Sequence, residues 1–389
     1  MKAKKRIGLL LALGTNYGAL LQSYATQRVL DVLGYDTFII VYSGSRLDSF
    51  RNGIRGIVYC ITSHLKKNGY RKPKQNLDVL HQDNRNKRTA VQQVFIKKRF
   101  NNVLKISSYS RLVEFAHSLD AVIIGSDQSW LPPAMFSVKG SLSFVPKDVR
   151  RISYATSLGV SEYPKLFWRQ ARKVWKRMDF ISVREEQGRD IILRICGDIT
   201  VQVVCDPTYL FTEVEWERLI PVERLEEEKY VLCYFLGTDK ALFDIARRFA
   251  KKKDLKLLSI LTCEVAVEGD DTFPDRLIIG ASPEDFVNYV RGAEYILTDS
   301  FHGTAFSVIN EKQFYLFYPQ RNYLALSRNS RLDNIVKMWG IEDRLILDKK
   351  IDWDQYNFTQ IDYEDVTPRV FAKRQESLDY LKKALDFND

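Results

Sequence analysis

One of the chain's four histidines, His302, lies between an apolar strand pattern and the next helical pattern, in EYILTDSFHGTAFSVINEKQF at residues 294–314. A helix N-terminus there would offer unpaired N–H groups that attract anions and disfavour a protonated imidazole. A neutral histidine can then act as a base or a hydrogen-bond donor. The alternative is that Ser300 is an ordinary helix cap and that His302 is a loop residue whose hydrogen bonds are made within the protein. The position at a predicted cleft favours function.

A second polar loop, GSDQSWLPP, follows the apolar segment AVIIGS. It combines hydrogen-bonding side chains with a large aromatic ring, as sugar-binding sites do. An aspartate cap followed by a proline turn is the alternative. The candidate acceptor-binding residues of this loop are Ser126, Asp127, Gln128 and Trp130.

The loop GTNYGALLQ follows the first apolar strand pattern. Gly14 and Gly18 would let the backbone approach a ligand, although glycines alone fit a simple turn equally well. Asn16 and Tyr17, between them, favour binding. We therefore add Asn16, Tyr17 and Gly18 to the candidate acceptor site.

Arginines are the candidate residues for binding an anionic substrate. Arg184 directly follows a strand pattern, where a cation should face a cleft or pair with Glu185 or Glu186. Farther along, SRLDNIVKMWG begins near a predicted helix start that carries Arg328 and Arg331. Guanidinium groups bind phosphate and carboxylate bidentately, so these arginines suit an anionic substrate.

Strand and helix patterns alternate along the chain in two series, which predicts an α/β fold with parallel sheets in two Rossmann-like domains. The predicted limits are 1–207 for the N-terminal domain on the acceptor side, 208–228 for a linker, and 229–350 for the C-terminal domain on the donor side. Residues 351–389 form a tail whose helix, from Pro368 to Leu385, packs back on the domains. Such domains bind ligands outside the carboxyl ends of their strands, in the cleft between them.

A basic helical insertion is predicted at 51–105, where fourteen Lys and Arg face two acids in a chain of net charge +10. An anionic membrane surface is the favoured partner, since cations near such a surface contribute up to ~1 kcal/mol each. A solvated helix face is the alternative, and the lack of a nucleic-acid motif ranks nucleic acid last. His64 lies in this segment; His81 is predicted to be exposed and His117 to lie in the core.

The other composition features are typical of a protein whose cysteines remain reduced. Five cysteines are odd in number and widely spaced, which favours buried thiols over disulfides or a metal site. The apolar start, Ile7 to Leu13, is short for a secretory leader and predicts the first buried strand. No apolar stretch has the length of a membrane span.

These segments, in this order, resemble the polysaccharide pyruvyl transferase family, with GSDQSW and DSFHGTAFS as the most specific pair. The resemblance covers most of the chain. It implies a GT-B-like pair of Rossmann-type domains with the active site in the interdomain cleft. It also implies transfer of pyruvyl from phosphoenolpyruvate to two sugar hydroxyls as a cyclic ketal, in bacterial capsule, exopolysaccharide or cell-wall glycan synthesis, with no metal or organic cofactor.

The resemblance places Arg184 and His302 near phosphoenolpyruvate. Some relatives carry arginine where this chain has Ser300, and some have a basic residue where it has Asn322. Ser300 is itself a candidate phosphoenolpyruvate-binding residue, and Arg328 and Arg331 are the substitute phosphate ligands. His302 would move a proton or steady the departing phosphate, and Asp127 is the candidate base for the acceptor.

The expected acceptor is an undecaprenyl-diphosphate-linked oligosaccharide, handled by a cytoplasmic protein held at the inner face of the cytoplasmic membrane. Two other functions remain open. A nucleotide-sugar-dependent GT-B glycosyltransferase would share the architecture, and a non-catalytic glycan-binding protein could share the site.

Overall fold

The computed structural model describes residues 3–14, 16–44, 79–132, 134–262, 267–319, 329–348, 355–356 and 359–387. Several predicted features lie outside these ranges. They are residues 51–78 of the basic insertion, His64, Asn322 and Arg328.

The N-terminal domain is built on a parallel sheet of seven strands in the order β3-β2-β1-β4-β5-β6-β7. Its central strand, β4, has the sequence AVII and is wholly apolar and buried, which is typical of a sheet covered on both faces. The strands are β1 Arg6–Leu10, β2 Asp36–Tyr42, β3 Val103–Ile106, β4 Ala121–Ile124, β5 Arg150–Thr156, β6 Phe180–Val183 and β7 Gln202–Val203. The helices are α1 Tyr17–Val32, α2 Val79–Arg99, α3 Tyr109–Ala116, α4 Trp168–Trp175 and α5 Glu186–Cys196.

The C-terminal domain repeats this order in a parallel sheet of six strands, β10-β9-β8-β11-β12-β13. The strands are β8 Tyr230–Tyr234, β9 Lys256–Ile260, β10 Arg276–Ile278, β11 Tyr295–Thr298, β12 Gln313–Phe317 and β13 Leu345–Ile346. The helices from here to the chain end are α6 Glu213–Leu219, α7 Ala241–Lys253, α8 Pro283–Gly292, α9 Phe301–Ile309, α10 Ser330–Trp339 and α11 Tyr363–Ala384. The predicted pair of Rossmann-like domains is confirmed.

In each sheet the strand order reverses between the first strand and its fourth-strand neighbour, β1 with β4 and β8 with β11. Ligands of open α/β sheets bind in the crevice at this switch point. The loops that follow these four strands are therefore the places to look for a site. They contain the GTNYG, GSDQSW and DSFHG segments.

The last helix, α11, contacts both domains. Near its start, the Tyr363 hydroxyl donates to the Lys312 carbonyl at 2.5 Å. Near its end, the Tyr380 hydroxyl donates to the Ser153 carbonyl at 2.8 Å. The helix begins five residues before Pro368 because the Asp362 side chain caps it, accepting from the Glu364 amide.

Two histidine predictions are wrong, one for a residue on helix α2 and one for the residue that follows α3. His81 is buried, with Nε2 2.9 Å from Asp270 Oδ2 of the C-terminal domain, whereas His117 is exposed just beyond the end of α3. Asn84 and Arg88 lie on the same buried face of α2 as His81. The prediction failed because α2 packs against the other domain through polar side chains, which a search for apolar periodicity assigns to solvent.

Candidate active site

Helix α9 sets the position of His302, the second residue of the helix, at the switch point of the C-terminal sheet. Ser300 is its N-cap, and its hydroxyl accepts from the Gly303 amide at 3.3 Å. The Thr304 hydroxyl donates to the Ser300 carbonyl at 3.0 Å. The Ser300 and Thr304 side chains thus complete the start of α9, while the His302 ring faces the N-terminal domain.

The imidazole of His302 packs against the start of α1. A Cβ atom added to Gly18 would lie 2.0 Å from His302 Nδ1, so only glycine allows this approach. The N-termini of α1 and α9 thus meet in the cleft. Their combined partial positive charges favour an anion between them.

Arg184 enters the cleft from the end of β6 and is buried. Its Nη1 donates to Asp206 Oδ2 at 2.7 Å, and the guanidinium lies 4.3 Å from the centre of the Phe301 ring. The Ser126 hydroxyl donates to the same carboxylate oxygen at 2.9 Å. Arg184 therefore links the GSDQSW loop of one domain to α9 of the other.

Asp206 stands at the centre of the cluster, fully buried at the start of the turn Pro207–Leu210, where its Oδ1 accepts from the Thr208 amide at 3.1 Å. Burial alone would raise the pKa of its carboxyl. The nearby His302 imidazole and the Arg184 guanidinium outweigh burial and hold the pKa well below its usual range. The group is therefore an anion inside the site.

Two nitrogen atoms beside this anion have no hydrogen-bond partner among the described residues, Arg184 Nη2 and His302 Nε2. His302 Nε2 lies 3.7 Å from Asp206 Oδ2, beyond hydrogen-bond length. Leaving a buried polar atom unpaired costs about 1–3 kcal/mol, and more for a charged group. The two atoms therefore mark where a ligand with acceptor oxygens could bind.

Asp127 lies in the same region with an unusual backbone. Its φ of 87° is in the region that non-glycine residues rarely adopt, and strain of this kind clusters at functional sites. The Ser157 amide holds the loop by donating to the Asp127 carbonyl at 2.9 Å. Burial tends to lower the pKa of Arg184, but the charges of Asp206, Glu185 and Asp127 raise it, so Arg184 stays protonated.

Arg331, in the first turn of α10, reaches across the cleft to Gln128. With the Gln128 amide oxygen turned toward it, Arg331 donates from Nη2 at 3.2 Å and from Nε at 3.3 Å. On the same helix, Asn334 donates to the Arg184 carbonyl at 3.0 Å. The structure thus brings Arg331, Gln128 and Arg184 to one cleft.

The predicted acceptor residues Trp130 and Tyr17 are both buried by contacts within the protein. Trp130 is fully buried, and its indole N–H donates to the Gly140 carbonyl at 3.2 Å. Tyr17 stacks on Phe286 of the C-terminal domain, with ring centres 5.0 Å apart, and is also buried. Asn16 caps α1 by accepting from the Ala19 amide. An aromatic residue in a polar loop looks the same in sequence whether it binds sugar or anchors the loop.

Sequence reasoning missed Asp206, which lies in the segment CDPTYLF. An acid at the end of an apolar run, directly before proline, was the available signal. The signal is ambiguous, because Asp299 also ends a strand yet accepts from the Leu236 and Gly237 amides and thereby joins two loops. The two aspartates differ in their partners in the structure, because Asp206 pairs with Arg184 whereas Asp299 accepts from backbone amides.

Within the described ranges, no group of three His, Cys, Asp or Glu side chains is placed to hold a metal ion. None of the described helices is long and apolar enough to cross a membrane. The cluster itself consists of a buried arginine, an anionic carboxylate and an imidazole between two helix N-termini.

Two Rossmann-like domains whose switch-point loops meet in one cleft define a GT-B-like protein. The family model for polysaccharide pyruvyl transferase matches residues 16–321. The chain belongs to this family, and the expected family membership is confirmed. Among curated proteins, no sequence matches the chain.

Solved structures with a similar course of the chain share little sequence with it. A putative UDP-N-acetylglucosamine 2-epimerase from Listeria monocytogenes has 12% identity and a TM-score of 0.49, over 100% of this chain and 98% of that one. The UDP-GlcNAc 2-epimerase from Neisseria meningitidis bound to UDP-GlcNAc has 12% identity and a TM-score of 0.49, over 97% of this chain and 100% of that one.

Proposed function

We propose that the protein transfers the pyruvyl group of phosphoenolpyruvate to two hydroxyls of one sugar, forming a cyclic pyruvate ketal. The observation that carries the proposal is a pair of buried nitrogen atoms, Arg184 Nη2 and His302 Nε2, which lie between two helix N-termini and have no hydrogen-bond partner in the described part of the chain. Phosphoenolpyruvate presents a carboxylate and a phosphate, which need such fixed positive groups and donors.

The first step adds a sugar hydroxyl to the enol carbon of phosphoenolpyruvate. The hydroxyl proton passes to Asp127, and the methylene carbon gains a proton and becomes a methyl group. His302 either delivers that proton or donates a hydrogen bond to the phosphate. Arg184 neutralises donor charge through its free Nη2, and Asp206 fixes the guanidinium from the other side.

The second step closes the ring. A second hydroxyl of the same sugar attacks the former enol carbon, the bond from that carbon to the phosphate oxygen breaks, and phosphate leaves with the hydroxyl proton. Arg331 is placed to bind the departing phosphate if it releases Gln128. Arg328 remains a predicted phosphate ligand outside the described residues.

The acceptor is a glycan of bacterial capsule, exopolysaccharide or cell-wall synthesis, carried on a lipid diphosphate at the cytoplasmic membrane. Its diphosphate is anionic, and the polysaccharide class is that of the family. The protein acts as a peripheral membrane protein in the cytoplasm.

Mass spectrometry tests the reaction. Lipid-linked glycans incubated with the protein and phosphoenolpyruvate should gain the mass of one pyruvyl ketal, and one phosphate should be released from phosphoenolpyruvate for each ketal formed. Phosphoenolpyruvate should also raise the melting temperature, since a ligand that binds only the folded state stabilises it. If a nucleotide sugar alone stabilised the protein and no ketal formed, the result would contradict the proposal and favour a glycosyltransferase.

A further inference from the structure

Helix α4 and the single turn before it, Lys165–Phe167, present an exposed basic face. The inner face packs into the N-terminal core through Phe167, Ala171, Val174 and Trp175. Outward-facing positions recur at helical spacing, and no acid occurs between residues 163 and 178. We call this outer face the α4 surface; it consists of Lys165, Leu166, Arg169, Arg172, Lys173, Lys176 and Arg177, all exposed.

Five of the six cations of the α4 surface make no side-chain hydrogen bond or ion pair with the described residues. Arg172 donates to the Cys196 carbonyl at 3.4 Å. None of the six cations lies within salt-bridge distance of a carboxylate of the described residues. Their mutual repulsion is therefore uncompensated, and a cluster of this kind favours an extended anionic partner.

On two other basic helices, part of the positive charge is used within the protein. On α7, Arg247 pairs with Asp244 and donates to the Phe273 carbonyl, while Lys252 donates to the Tyr356 carbonyl. On α2, Arg99 pairs with Glu284 of the other domain. The described part of the predicted basic insertion thus uses cations within the protein, and the α4 surface leaves them for a partner.

Leu166 indicates which partner. This side chain is 55% exposed beside Lys165, at the end of the cationic face. A bilayer of anionic lipid satisfies both features, because headgroups meet the cations and the acyl boundary receives the apolar side chain. A nucleic acid would meet the cations but leave Leu166 in water.

The topology places this face beside the cleft. Because β5 and β6 are parallel, the helix between them runs back from the carboxyl end of β5, so Lys165 and Leu166 lie at the edge where the site is. Asp127 pairs with Thr156, the last residue of β5, at that edge. A lipid-linked acceptor held in the membrane would therefore enter on the Asp127 side.

We propose that the α4 surface docks the protein on an anionic lipid bilayer, with the Asp127 side of the cleft next to the headgroups. The inference deepens the proposed function and rests on it only in the choice of a lipid-linked acceptor. Vesicle binding is independent of pyruvyl transfer, so the two can fail separately.

The test is co-sedimentation of the full chain with vesicles of phosphatidylglycerol and phosphatidylcholine, against pure phosphatidylcholine, at low and high salt. The parent should bind only the anionic vesicles and be released by salt. The triple variant Lys165→Gln, Arg169→Gln, Lys173→Gln should need at least about tenfold more lipid for half-binding. Leu166→Ser should also weaken binding, with every cation intact.

The matched control is Arg218→Gln, Arg248→Gln, Lys251→Gln, which removes the same charge from exposed positions elsewhere. Equal loss in the control, or undiminished binding of the α4 triple variant, would overturn the proposal. So would binding to duplex DNA but not to vesicles. Phosphate release with a lipid-free acceptor distinguishes the two proposals. Phosphate release without vesicle binding would contradict only the proposed docking surface. Vesicle binding without phosphate release would contradict only the proposed reaction.

Discussion

The two domains share one strand order but bring different chemistry to the cleft. At the N-terminal switch point and the strands beside it, side chains from three loops hold a buried ion pair, Arg184 with Asp206, supported by Ser126. At the C-terminal switch point, the site consists of a helix N-terminus and His302, while Asp299 is occupied by backbone amides. The common topology brings both sets of loops to one cleft, where one side contributes a buried ion pair and the other an imidazole at a helix N-terminus.

Asp206→Ala should have the largest effect, because it leaves the Arg184 charge buried without its main partner. Breaking such a pair costs about 3–5 kcal/mol in the free energy of unfolding. Urea denaturation measures the loss, and phosphate release should fall with it. A loss below about 1 kcal/mol would show that Glu185 suffices to hold Arg184.

The same carboxylate gives a pH dependence of stability. Its folded pKa lies below the unfolded value of about 3.9. Its contribution is therefore full above the unfolded pKa and is lost as pH falls from about 5 through the folded pKa. Denaturation midpoints of the parent should drop over this range, and those of Asp206→Asn should drop less. Parallel curves would contradict the direction of the shift.

His302→Ala should lower the rate of phosphate release by about 10²- to 10⁴-fold if the imidazole transfers a proton. No hydrogen bond of Nε2 with the described residues is lost, so the loss of activity should exceed the loss of stability. His302→Gln is the control that sharpens the comparison: glutamine can donate to phosphate but cannot shuttle a proton. Recovery of most activity by glutamine assigns His302 to phosphate binding. Activity of the alanine variant within a few-fold of the parent removes both roles.

Gly18→Ala should displace the imidazole, because the new methyl group would overlap His302 Nδ1. Overpacking of this kind costs about 1–3 kcal/mol. Gly14→Ala is the matched control in the same loop, since a Cβ there meets nothing within 4 Å. Thermal melts and phosphate release should change at position 18 and not at position 14. Equal behaviour would mean that the loop relaxes freely.

Gln128→Ala should have the smallest effect, since it removes only the bridge from Gln128 to Arg331 across the cleft. A hydrogen bond to a charged group contributes about 1.5–3 kcal/mol at most, and this one must open if Arg331 binds phosphate. We therefore expect KM for phosphoenolpyruvate to be unchanged or lower, with kcat nearly constant. A clear rise in KM would show that Gln128 itself binds substrate.

Topology and the cleft were predictable because alternating apolar patterns and loop chemistry are local signals. The helix start at His302 follows from Ser300, Gly303 and the apolar residues after them. Asp206 and the buried role of Trp130 were not predictable, since both depend on which strands are neighbours. The prediction for His81 was wrong for a related reason, since its partner, Asp270, lies far away in sequence. A polar helix face that packs against protein has the same sequence pattern as a polar face that is exposed to water.

Helix α11 sets how the two domains can move. The chain passes from the N-terminal domain to the C-terminal domain between Val203 and Tyr230 and returns through α11, which starts beside Lys312 and ends beside Ser153. If the domains rotate relative to each other, two crossings favour rotation about the line that joins them. Opening and closing of the cleft should follow that single axis. A deletion at the C-terminus would therefore free a motion as well as remove a contact, and a fusion partner placed there would rest on the N-terminal domain.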